Sequence, residues 1–496
     1  MLPARNLPAA RKDPLAGPAA ATLIQLYRHW RQLTERDVAR ADAQGGPAWA
    51  GARTGRLAVL AGSVTALVIA SLAGSSLGFL NKAACRAGAW NIGAAQYQAH
   101  CYTDIYPLYF GEGLWHGQIP YLDHPVEYPV LIGAAMQAAA WVVRPISDPS
   151  LRGREFFDVT VAGLVLCAIA GVLATAYLAG RSRRWTALLV ALSPALILAS
   201  FINWDLIAMA LTTLAMAAWA GRRGVLAGVL FGLAIATKFY PIVLIAGLFP
   251  LCLRAGRLRA FWVTAASAAA TWLVVNVPVA VASFAGWSRF YRLNSTRGAD
   301  WGSIWYFFEV RRWPVLGTMG LGALNLVSLL LFVVAFALIA ALVLAAPRRP
   351  RVAQVFFLVL ASFLLVNKVW SPQYVIWLLP LVVLARPRLW SYLVWQVAEV
   401  GYFFAIWAYL INQSPPPVAP GGIGGGLYFA AVLARFGAVA LLCALVVKDI
   451  LRPGTDVVRA DGEDDPAGGV LTGAPDSVIF RRSVRQPWEY PAPSKS

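Results

Sequence analysis

Charge is scarce in this 496-residue chain, and negative charge is scarcest: 23 Asp and Glu stand against 42 Lys and Arg, and charged residues make up 13%. With 59% hydrophobic residues and a mean hydropathy of +0.62, so small a polar share excludes a soluble enzyme and points to a chain dissolved in lipid. Histidine is nearly missing. Of four, His29 lies near the start and His100, His116 and His124 share one segment, without H-x-x-x-H or C-x-x-C spacing, so no metal and no cofactor is expected. No Walker loop occurs, and glycines such as Gly421-Gly422-Ile423-Gly424 sit in a linker, which argues against nucleotide-driven transport. Five cysteines say little about catalysis: Cys167, Cys252 and Cys443 fall in apolar runs as small hydrophobes. Cys85 and Cys101 share a polar segment, where a disulfide would place Asp104 three residues from an anchored point.

The net charge of +19 does not mark a nucleic-acid groove, because the basic residues stand in short clusters at the ends of apolar runs. Arg181-Ser182-Arg183-Arg184, Arg222-Arg223, Arg254 with Arg257 and Arg259, Arg348-Arg349 with Arg351, and Arg386 with Arg388 form the positive-inside pattern of cytoplasmic loops. The 20 Trp and 17 Tyr suit aromatic belts at the two membrane interfaces. Residues 1–56 carry no long apolar stretch, so the run at 57–80 lies too deep for an ordinary cleaved signal peptide and reads as a first span behind a cytoplasmic tail.

Apolar runs then predict an all-α polytopic membrane protein with about twelve transmembrane helices. They lie near 57–80, 159–180, 185–202, 205–220, 224–237, 240–253, 261–283, 315–346, 353–366, 375–385, 389–411 and 426–447. Several are shorter than the roughly 20 residues a straight span needs, which predicts broken helices lining a hollow. The run 130–143 would upset the parity of the arginine loops and is read as a re-entrant or interfacial helix. Residues 448–496, acidic and then Pro-rich, are expected to form a largely disordered cytoplasmic tail.

With the arginines inside, the polar interruptions fall on the opposite, extracytoplasmic side of a plasma membrane. They are Asn203-Trp204-Asp205, Thr237-Lys238-Phe239-Tyr240-Pro241 and Asn367-Lys368-Val369-Trp370-Ser371-Pro372-Gln373-Tyr374, together with outer loops at 81–128, 284–314 and 412–425. Asp104, Asp123 and Glu127 supply carboxylates there, and Lys238, Arg289, Arg292, Arg297 and Lys368 supply cations. Ionisable groups at membrane depth are expensive to bury and suggest a site for an anion. Plainer roles compete: Asp205 as a helix cap, Lys238 and Lys368 snorkelling to headgroups, Asp104 capping Ile105–Trp115, Tyr102, Tyr106, Tyr109 and Trp115 seating that helix in the interface, and Asp300 and Glu309 pairing with Arg297 and with Arg311 or Arg312.

Thr103-Asp104-Ile105-Tyr106, Val126-Glu127-Tyr128-Pro129-Val130, Gly232 through Lys238-Phe239-Tyr240-Pro241, and Asn367 through Ser371-Pro372-Gln373-Tyr374 with Trp377 and Pro380 resemble the motifs of glycosyltransferase family 87. The resemblance runs over about residues 57–447, which would form one GT-C-like catalytic domain. The loop Asn294-Ser295-Thr296-Arg297 departs from the pattern, with Asn where a histidine is expected. The resemblance implies that a sugar, mannose first and arabinofuranose second, passes from a polyprenyl-phosphate donor to a lipid or glycan acceptor without a metal. Asp104 would be the general base and Lys238, Arg297 and Lys368 would hold the donor phosphate. Tyr106, His116, Glu127, Tyr128, Tyr240, Asn294, Gln373 and Tyr374 would contact donor or acceptor. One base suffices for inversion, since a lipid phosphate leaves as a stable anion. A hydrolase built on Asp104 with Asp123 or Glu127 and a transporter or flippase of lipid-linked sugar are the competing readings; no internal repeat of the transporter kind is visible.

Overall fold

A computed structural model describes residues 48–414, 420–460 and 462–479. Among them helices form the fold and no strand occurs beyond one isolated bridge, Pro120 with His124. Six helices are long and apolar enough to cross a membrane: Leu60–Asn81 (within a longer helix from Ala48), Pro149–Leu178, Leu258–Ala282, Leu321–Ala345, Leu389–Ile411 and Gly425–Leu451. Six shorter apolar helices accompany them: Val130–Val143, Asp205–Ala220, Gly224–Thr237, Pro241–Arg254, Val352–Val366 and Pro372–Ala385. The chain is therefore an all-helical membrane protein; the set of long helices is half the number of crossings the apolar runs suggest.

Close packing follows from small residues. The Gly224–Thr237 helix lies against Leu258–Ala282 along Gly224, Gly228 and Gly232. A Cβ at Gly228 or Gly232 would collide with the carbonyl oxygen of Thr264 or Ala268, so only glycine allows the two backbones to meet, as in tightly packed membrane helices. The other side of Leu258–Ala282 is unpartnered and apolar, with Trp262 and Val274 exposed, a surface suited to lipid.

The expected span at 185–202 is not one helix. Arg184–Ala187 forms a 3-10 turn, Leu188–Ala191 a single turn and Pro194–Ala199 a separate short helix. Pro194 has no N–H to continue the ladder and forces Ser193 into an extended conformation, φ −61° and ψ 122°. Ser193 then caps the new helix at Leu196 N, 3.2 Å, while Gln396 accepts from Ser193 Oγ at 2.8 Å and from Ala195 N at 3.1 Å. The helix expected from residue 159 begins at Pro149, because Asp148 caps the N–H groups of Ser150 and Leu151.

Nor are the described residues beyond 447 disordered. The last long helix runs to Leu451 and is followed by turns at Pro453–Thr455, Val457–Ala460 and Gly469–Leu471. Its acidic residues meet the arginine clusters: Asp456 takes Arg351 through two bonds of 2.8 and 3.1 Å, and both ends of that pair are buried. Asp449 pairs with Arg386, Glu463 with Arg183, and Asp476 with both Arg254 and Arg349. Bidentate bonds of this kind order a polar segment that has little apolar surface of its own. The expected tail residues 1–47 and 480–496 lie outside the described residues.

Candidate functional site

Asp104 is held by its backbone. A Cys85–Cys101 disulfide, Cα–Cα 5.6 Å, anchors the segment just before it. Thr103 Oγ1 donates to Phe201 O at 2.7 Å and Asp104 N donates to Ile202 O at 2.6 Å, so the loop is stitched to the broken 185–202 region. Asp104 sits at the N-cap of the Ile105–Gly111 helix, but its side chain makes no cap bond. The capping role is excluded; the carboxylate is free for other partners.

Its partners are tyrosines. Tyr128 OH donates to Asp104 Oδ2 at 2.9 Å, and the Tyr102 hydroxyl also bonds the carboxylate. Tyr128 is fixed because Tyr121 OH donates to the carbonyls of Tyr128 (2.9 Å) and Pro129 (2.7 Å) and accepts from Gly133 N (3.2 Å). Any side chain at Gly133 would strike the Tyr121 ring. Burial pushes Asp104 from 3.8 up to about 6; the two tyrosine bonds and Lys238 oppose that rise, and the charge of Glu127 adds to it. Glu127, half-buried, is raised by burial and by Glu112, against Lys238, Arg297 and Arg289.

Lys238 stands on the other side of Tyr128. Its ammonium lies 4.7 Å from the centre of that ring and 2.9 Å from Asp205 Oδ1. Asp205 is fully enclosed; its backbone N–H bonds Asn203 Oδ1 at 3.0 Å and its carboxylate faces Lys238. Asp205 is thus the lysine's counter-ion and not a helix cap, and Lys238 does not snorkel. Trp204 meets Tyr128 edge-on at 5.6 Å. One tyrosine ring therefore bridges the carboxylate of Asp104 and the Lys238–Asp205 pair.

A second cationic group surrounds Arg297. Arg297 Nη2 is 2.7 Å from Asp300 Oδ1, the expected pair, and its side chain remains 42% exposed. Lys368 is buried and donates to Arg297 O at 2.5 Å; burial, then the Arg297 charge, lowers its affinity for a proton. Asp300 N donates to Lys368 O at 2.8 Å and Ser371 Oγ to Asp300 Oδ2 at 3.1 Å. Below them Tyr240, Trp377 and Tyr374 stack, with centroids 4.6 and 3.7 Å apart, and Tyr240 OH meets Thr212 Oγ1 at 2.9 Å. Gln373 is buried in the same turn.

Other expected contacts lie elsewhere. Tyr106 is buried edge-on against Phe110 and beside Gly153. His116 is exposed against Trp115. Asn294 Nδ2 donates one turn back to Phe290 O, 2.8 Å, on an exposed surface. Asp123 accepts from Ile119 N at 2.9 Å and closes its own turn, so it makes no acid–base pair with Asp104. No ion pair joins Glu309 to Arg311 or Arg312 among the described residues; Arg311 lies over the Phe429 ring instead. No group of three metal-ligating side chains occurs among the described residues.

Two parts of the site escape sequence reading. Lys82, fully buried, donates to Leu198 O at 3.1 Å; burial lowers its pKa from 10.5 to about 7, against the pull of Asp104. Arg435, also fully buried, pairs with Glu399 at 2.8 Å, lies 4.3 Å from the ring centres of Trp370 and Tyr402, and donates to the carbonyls of Trp370 (2.9 Å) and Ser371 (3.1 Å). It fixes the turn that carries Gln373 and Tyr374. A lone cation at the end of an apolar run, as with Lys82, or inside one, as with Arg435, was the available signal.

The sequence pattern of a family of membrane transferases matches residues 138–372, which include Asp205, Lys238, Arg297 and Lys368 and begin after Asp104 and Tyr128. No curated protein matches the chain.

Proposed function

As residues 138–372 form a glycosyltransferase family 87 region, we propose that this membrane glycosyltransferase moves a sugar from a polyprenyl-phosphate donor to a lipid or glycan acceptor on the extracytoplasmic face, with Asp104 as the general base. Mannose is the first candidate sugar and arabinofuranose the second.

The observation that carries the reading is the state of Asp104: backbone-anchored, half-buried, bonded to Tyr128 and pushed to about 6. A carboxylate with that affinity is mostly ionised near neutral pH and still a better proton acceptor than an ordinary aspartate. In the proposed step the acceptor hydroxyl gives its proton to an Asp104 oxygen while its own oxygen bonds the anomeric carbon. The bond from that carbon to the donor phosphate oxygen breaks, and the electron pair leaves with the polyprenyl phosphate. Attack and departure on opposite faces invert the configuration. Arg297, the most exposed of the three cations, is the first contact for the phosphate; Lys368 adds charge behind it, and Lys238, its charge balanced by Asp205, adds a hydrogen-bond donor. Tyr374, the partly exposed end of its stack with Trp377 and Tyr240, offers an aromatic face to the sugar.

Protein in nanodiscs, given radiolabelled polyprenyl-phosphate-mannose or polyprenyl-phosphate-arabinose and membrane lipid extract, tests this with wild type beside Asp104→Asn. Transfer from one donor, lost in a variant that keeps its thermal transition, is the expected result. Unchanged transfer by Asp104→Asn removes the base. Movement of intact labelled donor across sealed vesicles without transfer replaces the enzyme by a flippase.

A further inference from the structure

The acidic carboxyl-terminal segment neutralises part of the arginine-rich end of the helices, and it does so selectively. Arg183, Arg254, Arg348, Arg349, Arg351 and Arg386 each have a carboxylate partner within ion-pair distance. Arg222, Arg257 and Arg259 have no side-chain hydrogen bond and no ion pair among the described residues. Arg222 comes from one loop and Arg257 and Arg259 from the cap and first turn of the Leu258–Ala282 helix, and all three line one cavity of about 560 Å³.

That cavity has a composite wall. Trp219 and Val263 belong to the transmembrane helices, and Val470 belongs to the carboxyl-terminal segment. The segment is fastened on both sides of the cavity: Trp219 Nε1 donates to Gly468 O at 3.2 Å, and Ser477 N to Arg254 O at 2.6 Å. Val263 leads directly onto the unpartnered face of Leu258–Ala282, where Trp262 is 60% and Val274 74% exposed. A space with three guanidiniums at its head and a lipid-facing helix at its flank matches an amphiphile with an anionic head and apolar chains.

We propose that this cavity is a binding site for the phosphate headgroup of an anionic phospholipid, held by Arg222, Arg257 and Arg259, with the acyl chains running along Leu258–Ala282. Guanidinium forks suit phosphate oxygens, and basic pockets between helices at the membrane surface bind such headgroups. The volume is within the range of roughly 300–1,000 Å³ for small-molecule sites. Asp205 and Lys238 stand at the opposite ends of the Asp205–Ala220 and Gly224–Thr237 helices from Arg222, so the cavity is separate from the Asp104 cluster and stands whatever sugar the enzyme moves.

Full-length protein purified in neutral detergent is titrated with phosphatidylglycerol, with phosphatidylcholine and with inorganic phosphate, and read by thermal unfolding and by native mass spectrometry of retained lipid. The expected result is stabilisation and retention of phosphatidylglycerol alone. In the triple variant Arg222→Gln/Arg257→Gln/Arg259→Gln the affinity for it should fall on the order of 100-fold, as for three arginines removed from a membrane surface. Arg311→Gln/Arg312→Gln, at exposed positions in another loop, should change nothing. Equal stabilisation by both lipids, or by inorganic phosphate as much as by phosphatidylglycerol, overturns the proposal, as does a triple variant that retains the lipid. The wild-type titration decides the matter even if the triple variant does not fold.

Discussion

Tyr128→Phe separates the hydrogen bond to the proposed base from everything else that Tyr128 does. Phenylalanine keeps a ring beneath Lys238, where the ammonium now lies 4.7 Å from the centroid, and keeps a ring against Trp204. Only the hydroxyl 2.9 Å from Asp104 Oδ2 is lost. A bond to a charged acceptor contributes about 1.5–3 kcal/mol, and about 1.4 kcal/mol corresponds to one pKa unit. Because the carboxylate is the better acceptor, losing the donor destabilises the ionised form and moves Asp104 upward from about 6 by about one unit. The catalytic base must be ionised, so kcat/KM should rise with pH through about 6 in wild type and through about 7 in the variant. At pH 6 the variant should be slower by about fivefold, and above pH 8 the two should converge to within about 10%. Transfer rates in nanodiscs from about pH 5 to about pH 9 provide the profile. An unmoved limb, or one displaced to lower pH, refutes the assignment of Asp104. A loss of equal size at every pH shows instead that Tyr128 only maintains the architecture.

Asp104→Asn should lower kcat by about 10²–10⁴ and abolish the acidic limb, with little change in thermal stability. Lys82→Met removes a buried amine whose pKa is depressed from 10.5 to about 7. Between those values the unfolded chain binds the proton and the folded chain does not, so wild-type stability rises with pH across that window; the variant should lack this rise in unfolding assays run from about pH 7 to about pH 10. Arg435→Met strands Glu399 without a partner and should destabilise by about 3–5 kcal/mol, with part of the loss recovered in Arg435→Met/Glu399→Gln, both read by thermal unfolding. Cys85→Ser opens a loop that the structure closes over a separation of 16 residues; a loss of about 3 kcal/mol is expected, and the Asp104→Asn-sensitive rate should fall with it.

The apolar helices were legible wherever a run of hydrophobic residues had clean polar ends, as at Asp205–Ala220, Gly224–Thr237 and Leu389–Ile411. The 185–202 run misled because hydropathy does not register Pro194, whose missing N–H breaks the ladder regardless of its neighbours. The segment after 447 misled for a different reason. Asp449, Asp456, Glu463 and Asp476 find partners in arginines that are 63 to 280 positions away, so local composition carries no trace of the order they impose. In the site, the residue types around Asp104 were visible, and the pairing of Lys238 with Asp205 was not. That pairing depends on how two helix ends meet, and it turns a presumed free cation into half of a neutral unit. Asn294 and His116 looked equal to Tyr128 in sequence; only the fold turns Tyr128 toward the carboxylate.

The link between Cys85 and Cys101 also gives the proposed active site a date. Thiols pair only where an oxidant reaches them, so with the extracytoplasmic placement proposed above the loop carrying Asp104 would be clasped after it has left the reducing side of the membrane. A newly made chain would then hold its proposed base on an open loop and become competent on arrival, and the proposed sugar transfer would be confined to molecules that have finished their insertion.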